Sequence, residues 1–387
     1  MKVKLSQAFD LQMGKTPSRN NAAYWNGDKK WVSIADIGNS GKYISDTKEC
    51  ITEKGVRESG IRSVPKETVI MSFKLSIGKT AITAEDLYTN EAIMAFIDKG
   101  VYAIDPTYFY HLCCGKNWTA GTNKAVMGLT LNKATISEIE INLPDISEQR
   151  EIAAKLDRLD TVIADRQLQL EYLDQLVKSR FIELFVATDV ASEWPYCTIA
   201  DVSNDMRTGP FGSALHHDEF VDSGVFVLGI DNAVENKFSY NRMRYITEEK
   251  YQQLKRYTVY PGDVIITIMG TVGRSAVIPA DMPKAINTKH LACITPKAET
   301  INAQFLSCAF QVHPDIRMQL QKQCKGAIMD GLNLTIIKGL SFRIPPINLQ
   351  NQFVEFYEQT DKSKLAVQKS LEELEILKKS LMQQYFG

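Results

Sequence analysis

Two short runs, Gly14-Lys15-Thr16 and Gly78-Lys79-Thr80, end as a phosphate-binding loop ends, with a lysine and a hydroxyl after glycine. Such a loop needs another glycine five residues earlier so that successive backbone N–H groups can curl around phosphate, and those positions are Phe9 and Phe73. The pattern therefore excludes a nucleotide-hydrolysing loop. Asp105-Pro106-Thr107-Tyr108 approximates the D-P-P-Y of amino-methyltransferases, but threonine stands for the second proline and no glycine-rich cofactor loop precedes it. It reads as a turn entering a buried aromatic strand. Neither Pro144-Asp145 nor Pro314-Asp315 is followed by the acid-x-lysine of a metal-dependent nuclease. His216 and His217, adjacent on a segment read as extended, point to opposite sides, which suits solvent or phosphate better than one metal ion. The seven cysteines form no C-x-x-C pair, so no metal site and no catalytic residue is assigned; reduced thiols fit a cytoplasmic protein.

What remains is basic and polar residues set in loops. Residues 1–30 hold Lys2, Lys4, Lys15, Arg19, Lys29 and Lys30 against Asp10 and Asp28. Lysine and arginine suit phosphate oxygens, while Arg, Asn, Gln, Ser and Thr can read base edges. On this composition the candidate DNA contacts in the first half are Lys15, Thr16, Ser18, Arg19, Asn20, Asn21, Lys74 and Lys79. In the second half they are Arg207, Thr208, Ser213, His216, His217, Arg242, Arg244, Arg274, Asn287, Lys289, His290 and Lys325. Each alone is an ordinary charged loop residue; their weight lies in recurring in both halves.

The elements that must carry these loops form a tandem repeat. Pro144–Phe185 and Pro345–Phe386 align without a gap, 201 positions apart, with Leu131-Asn132 on Leu332-Asn333 and Gln149 on Gln350. Apolar residues recur every three or four positions at Ile152, Leu156, Leu159, Ile163, Leu170, Leu173, Val177 and Leu184 in one copy. In the other they are Phe353, Tyr357, Val367, Leu371, Leu374, Leu381 and Tyr385. This is a coiled-coil stripe, interrupted by Arg166 and Arg180 in the first copy and by Thr360, Lys364 and Lys378 in the second. Ser147 and Asn348 are the expected N-caps, and roughly 36 residues per helix give a rod of about 54 Å.

The segments before the helices repeat more loosely. Asp36 matches Asp231, Val69–Ser72 matches Val264–Thr267 and Ile77–Ile82 matches Val272–Val277, all 195 positions apart. Short β-branched runs at 69–73, 127–131, 225–230 and 264–268 predict strands, and 90–97 and 301–309 predict helices. The class is α+β, with globular domains over 1–143 and 188–344 and long helices over 144–187 and 345–387. With 45 basic and 46 acidic residues the chain is close to neutral, so it is not an indiscriminate polycation. No apolar run approaches the ~20 residues of a membrane span, and the N-terminus has no signal-peptide core.

Taken together, these motifs resemble the specificity subunits of type I restriction-modification systems. The residues are Gly14–Arg19, Tyr24–Gly27, Trp31–Ile34, Met71–Lys79 and Asn90–Ile93, then Thr208–Ser213 and Pro261–Ile265, with Leu143-Pro144 and Glu148-Gln149 opening the helical region. Leu349 stands where the family's second helix opens with glutamate. The resemblance implies two target recognition domains, each reading half of a bipartite double-stranded DNA target, held apart by two antiparallel helices. It further implies a non-catalytic subunit without its own cofactor, docking two methyltransferase subunits that carry S-adenosylmethionine, together with restriction-translocase subunits. A coiled-coil adaptor that binds proteins would explain the helices but not the loops. Because phosphate neutralisation supplies much of DNA affinity, the near-neutral isolated chain is expected to bind duplex weakly and to bind tightly only with the methyltransferase. A titration showing nanomolar binding by the chain alone, unchanged by the partner, would contradict this.

Overall fold

The structure is a computed structural model that describes residues 1–118, 131–210, 214–324 and 332–387. The chain forms two compact units, residues 1–167 with 368–387, and residues 168–367.

In the first unit a five-stranded sheet has the order Phe9–Met13, Ile93–Asp98, Val69–Ser72, Thr80–Thr83, Tyr43–Ile44, antiparallel except for the last pair. All four residues of Val69–Ser72 are buried, so both faces of this strand are covered and the run is apolar rather than alternating. A second sheet places Trp25–Val32 between Glu49–Ile51 and Tyr88–Thr89. Helix α1, Pro106–Gly115, packs Tyr108, Phe109 and Leu112 into the core with Phe9 and Phe96. The long helix α2, Ile146–Phe185, starts in this unit.

The second unit repeats the plan. Its sheets have the orders Ser203–Thr208, Leu291–Pro296, Val264–Thr267, Ser275–Val277 and Tyr245–Ile246, Val225–Leu228, Ala285–Asn287, Thr258–Val259. Helix α3, Ala303–Val312, occupies the place of α1, and the long helix α4 is Ile347–Phe386. Each long helix has 40 residues, about 60 Å at the usual rise and longer than the sequence pattern indicated.

The two helices pair antiparallel within each unit. In the first, Asp160 on α2 pairs with Lys378 on α4, and Ile152, Ala153 and Leu156 share a core with Leu381, Met382 and Phe386. In the second, Asp174 pairs with Lys364, and Phe181 and Phe185 both meet the Phe353 ring edge-on at 5.4 Å. The fifteen stripe residues named from the sequence are all buried or half-buried, while Leu168, Tyr172, Leu176, Leu365, Ile376 and Leu377 beside the stripe are exposed. Phe181, Phe185 and Phe386 were not in that stripe, yet they are buried against the globular parts of their own units.

One side chain joins each helix to its domain. Gln149 is buried; its Oε1 accepts from Asp105 N at 2.9 Å and its Nε2 donates to the carbonyls of Ala103 and Pro144, both at 3.0 Å. Gln350 does the same in the second unit, accepting from Asn302 N at 2.9 Å and donating to Thr300 O at 3.0 Å and Pro345 O at 2.8 Å. Asp105 and Asn302 are the side-chain N-caps of α1 and α3, so each amide links the starts of two helices. Lys42 and Lys237, 195 positions apart, add ion pairs to the long helices at Asp157 and Asp361.

Several expectations are corrected. Residues 90–97 are not helical: Ile93–Asp98 is a central strand, because its apolar run is buried between two partners rather than presenting one helical face. Asp105 opens helix α1 rather than an aromatic strand, since its carboxylate caps Thr107 N and Tyr108 N with proline at the first turn. Ser147 is not the N-cap of α2; Asp145 accepts from Ser147 N and Glu148 N. Asn348 lies inside α4, which follows Pro346 directly. The strand expected over 127–131 lies almost wholly outside the described residues.

Replacing Gln149 by leucine leaves one buried N–H and two carbonyls unpaired, and is expected to cost about 2–4 kcal/mol. Denaturant unfolding of Gln149→Leu against the exposed control Gln175→Leu measures this; equal midpoints for the two variants would remove the amide from its anchoring role.

Candidate nucleic-acid interface

The candidate loops of the first unit leave one edge of its main sheet. The strand Phe9–Met13 ends as Gly14 donates to Ile93 O, and the strand Val69–Ser72 ends as Phe73 donates to Ala92 O. The loops 14–21 and 73–79 therefore depart beside neighbouring residues of one central strand. Gly14 lies flat on that edge: a Cβ there would stand 2.2 Å from the carbonyl oxygens of Thr89 and Asn90. The second unit repeats this contact, where a Cβ on Gly209 would stand 2.2 Å from Asn287 O, and Ile268 donates to His290 O as Phe73 does to Ala92 O. Both units thus end two corresponding strands at the same sheet edge, at Gly14 and Phe73 in the first and at Gly209 and Ile268 in the second.

The loop after Val69–Ser72 is also built twice, its second copy following Val264–Thr267. Ser72 Oγ donates to Ser76 O and accepts from Lys79 N, while Thr267 Oγ1 donates to Thr271 O and accepts from Arg274 N. The turn needs positive φ at two positions, supplied by Leu75 (62°) and Gly78 (91°) in one copy and by Gly270 (73°) and Gly273 (81°) in the other. Leucine at such a position costs about 1–2 kcal/mol.

The named candidates divide by their partners. Lys15, Ser18, Arg19, Asn20 and Lys79 are exposed, with Thr16, Asn21 and Lys74 half-buried. Arg19 is the most constrained: its guanidinium lies 3.8 Å over the Trp25 ring and is held by both oxygens of Glu49, whose hydrogen bond raises its pKa. Thr16 donates to Glu91, Lys15 to Ser59 O, and Asn21 caps Ala23 N. Lys74 sits 5.3 Å from the Phe73 ring.

In the second unit His216, His217, Arg242, Arg274 and Lys289 are exposed, and Thr208, Arg244 and His290 half-buried. Arg242 and Arg244 share Asp231, each at 3.6 Å. Burial first, then the charges of Lys289 and Arg244, lower the His290 pKa, so its imidazole is neutral at pH 7 and able to donate or accept a hydrogen bond. His217 is not on an extended segment; it opens a short 3-10 turn, its ring edge-on to Phe220 at 5.8 Å. Ser213 and Lys325 lie outside the described residues.

Two candidates are corrected by burial. Asn287 is fully buried, with Nδ2 donating to Leu291 O at 3.1 Å, so it shapes the turn rather than facing a ligand. Arg207 has only 13% of its side chain exposed, and its guanidinium is spent inside the domain. It donates to Thr258 O at 3.0 and 2.7 Å, Asp263 at 2.5 Å, Asp205 at 2.7 Å and Thr295 Oγ1 at 3.0 Å, which uses all five N–H groups. In the first unit the equivalent residue is Gln12, whose Nε2 donates to Arg62 O and Ser63 O, and Thr68 stands where the second unit has Asp263. Sequence reading also missed Trp25 and Trp31, which frame Arg19, although both stood in the quoted motifs. It missed Lys42 and Lys237 as well, whose spacing of 195 was visible.

The chain is thus a pair of long helices carrying two α+β domains, each with a polar, cationic loop edge, and among the described residues no group of three or more His, Cys, Asp or Glu is placed to hold a metal ion. The chain belongs to the family described as the type I restriction modification DNA specificity domain, which matches residues 1–172 and 192–376. Among its relatives is the type I restriction enzyme MjaIX specificity subunit of Methanocaldococcus jannaschii, 31% identical over 187 residues, which are 47% of this chain and 43% of that one. Another is the EcoBI specificity subunit of Escherichia coli, 24% identical over 278 residues, 65% of this chain and 58% of that one. The chain thus spans about half the length of these relatives. The fold is similar over its whole length to a solved structure concerned with complex assembly and conformational transition of the type I restriction-modification system, with a TM-score of 0.67, 17% identity and 97% of that chain covered. A type I restriction-modification S subunit from M. genitalium gives a TM-score of 0.55 at 14% identity, covering 100% of this chain and 96% of that one.

The buried Arg207–Asp263 pair generates a test. Arg207→Met leaves Asp263, 1% exposed, without its cation, and is expected to destabilise the second unit by about 3–5 kcal/mol. Exposed Lys289→Ala is expected to leave stability unchanged. A chemical-denaturation midpoint for Arg207→Met equal to wild type would return Arg207 to the list of surface contacts.

Proposed function

We propose that this chain is the DNA-sequence-specificity subunit of a type I restriction-modification complex, each unit reading one half of a bipartite duplex target. The observation that carries the reading is the match of the DNA specificity domain to both halves, joined to the same loop edge built twice. The loops 14–21, 73–79 and 268–274, together with Thr208, the segments 216–217 and 242–244 and the pair Lys289-His290, would supply the contacts. Lys15, Arg19, Lys74, Lys79, Arg242, Arg244, Arg274 and Lys289 would serve phosphates or guanine. Thr16, Ser18, Asn20, Asn21, Thr208, His216, His217 and His290 would serve base edges or backbone oxygens. Ser213 and Lys325 keep that assignment from the sequence alone.

The chain has no catalytic role in this reading and binds no cofactor of its own. Methylation belongs to two methyltransferase subunits docked on the paired helices, and cleavage to restriction-translocase subunits. Exposed charge along both 40-residue helices supports such docking, and their fixed length supports a role in setting the spacing between half-sites. Among the described residues no helix is long and apolar enough to cross a membrane, and we place the complex in the cytoplasm with its DNA.

Exchange of residues 188–344 for the matching segment of a relative tests the assignment. Single-molecule sequencing of adenine methylation is expected to show one half of the bipartite motif changed and the other half retained. An unaltered motif, or both halves altered together, would overturn the modular reading; a protein-binding adaptor would leave methylation untouched.

A further inference from the structure

Leu75 is not explained by folding. It stands at the tip of the loop 73–79 with φ 62° and 89% of its surface exposed. The equivalent turn of the second unit holds the same hydrogen bonds and meets the same backbone demand with Gly270. The first unit therefore carries a strained side chain that is not buried among the described residues, where glycine would serve the turn better. An apolar group held out in that way has use only against an apolar partner.

The surroundings select the partner. Lys74 and Lys79 flank the tip in the same loop. The loop leaves the sheet beside Gly14, from which the segment bearing Lys15 and Arg19 begins, as the bonds of Phe73 to Ala92 O and Gly14 to Ile93 O fix. A leucine with a lysine on either side of it in the loop, on an edge that also sends out the segment of Lys15 and Arg19, fits a polyanion that also offers apolar surface, which is duplex DNA: phosphates outside, with thymine methyl groups and base faces within.

We propose that Leu75 is a specificity residue of the first recognition unit, pressing its side chain onto an apolar base surface in that unit's half-site. The inference rests on the DNA-reading function above. The second unit has Gly270 at this place and so no counterpart of the Leu75 side chain there.

The test uses the assembled complex of this subunit with its methyltransferase, on duplexes carrying the methylated motif. Leu75→Gly is expected to fold at least as stably as wild type, because it removes the strain, and to bind the target more weakly. If the partner is a thymine methyl, replacing one thymine of the first half-site by deoxyuracil weakens wild type about fourfold, the value of one methyl group, and leaves Leu75→Gly unaffected. If the leucine enters an opened base step, 2-aminopurine at that step brightens with wild type and stays quenched with Leu75→Gly. A thymine or step in the second half-site serves as control. The proposal is overturned if Leu75→Gly binds DNA as wild type does, if it weakens both half-sites equally, or if its loss appears as weaker methyltransferase association at equal DNA affinity. Failure of the wild-type complex to discriminate its motif from random duplex would instead overturn the DNA-reading assignment, and this inference with it.

Discussion

A buried amide at the root of each long helix is the constraint on which the rest of the architecture depends. Gln149 and Gln350 each accept one backbone N–H and donate to two carbonyls, with no water-facing alternative. A helix of 40 residues magnifies any error in its starting direction: a tilt of 10° displaces its far end by roughly 10 Å. Three hydrogen bonds at the first turn, backed by Lys42 on Asp157 or Lys237 on Asp361 farther along, fix that direction against the helix's own domain. Apolar packing alone is tolerant of rotation; directional polar bonds in a dry setting are not.

The same logic governs the helix pair. A purely apolar stripe can slip by a heptad with little loss, whereas Lys364 and Lys378 occupy stripe positions and meet Asp174 and Asp160. Such polar interruptions select register at some expense of stability. Their presence explains why the second helix carries a more polar stripe than the first.

Much of this was legible in the sequence. The 201-residue repeat and the three-four spacing exposed the helices, because a long element repeats its periodic signal many times over. Short elements were less legible. Ile93–Asp98 and Pro106–Gly115 exchange their expected states, since a short apolar run fits a buried strand or a helix equally and only its neighbours decide. The site divided in the same way. Composition found the loops, but it could not separate Arg207, turned inward onto Asp263, from Arg274, turned outward, because an arginine's partners are set by strands distant in sequence. Leu75 escaped notice since a leucine in a loop carries no signal until its φ and exposure are known.

The divergence between Gln12 and Arg207 bears on how such genes change. One unit fills this core position with a neutral amide on the carbonyls of Arg62 and Ser63, the other with a cation on Asp263, and either residue transplanted alone would strand a buried group. The two strands concerned lie more than fifty residues apart in sequence, so a genetic crossover between them would separate the pair. Crossovers in the helices, where both copies share one register, leave each core intact. Each globular unit is therefore exchangeable only as a whole, because a join inside it parts side chains that satisfy one another across its core.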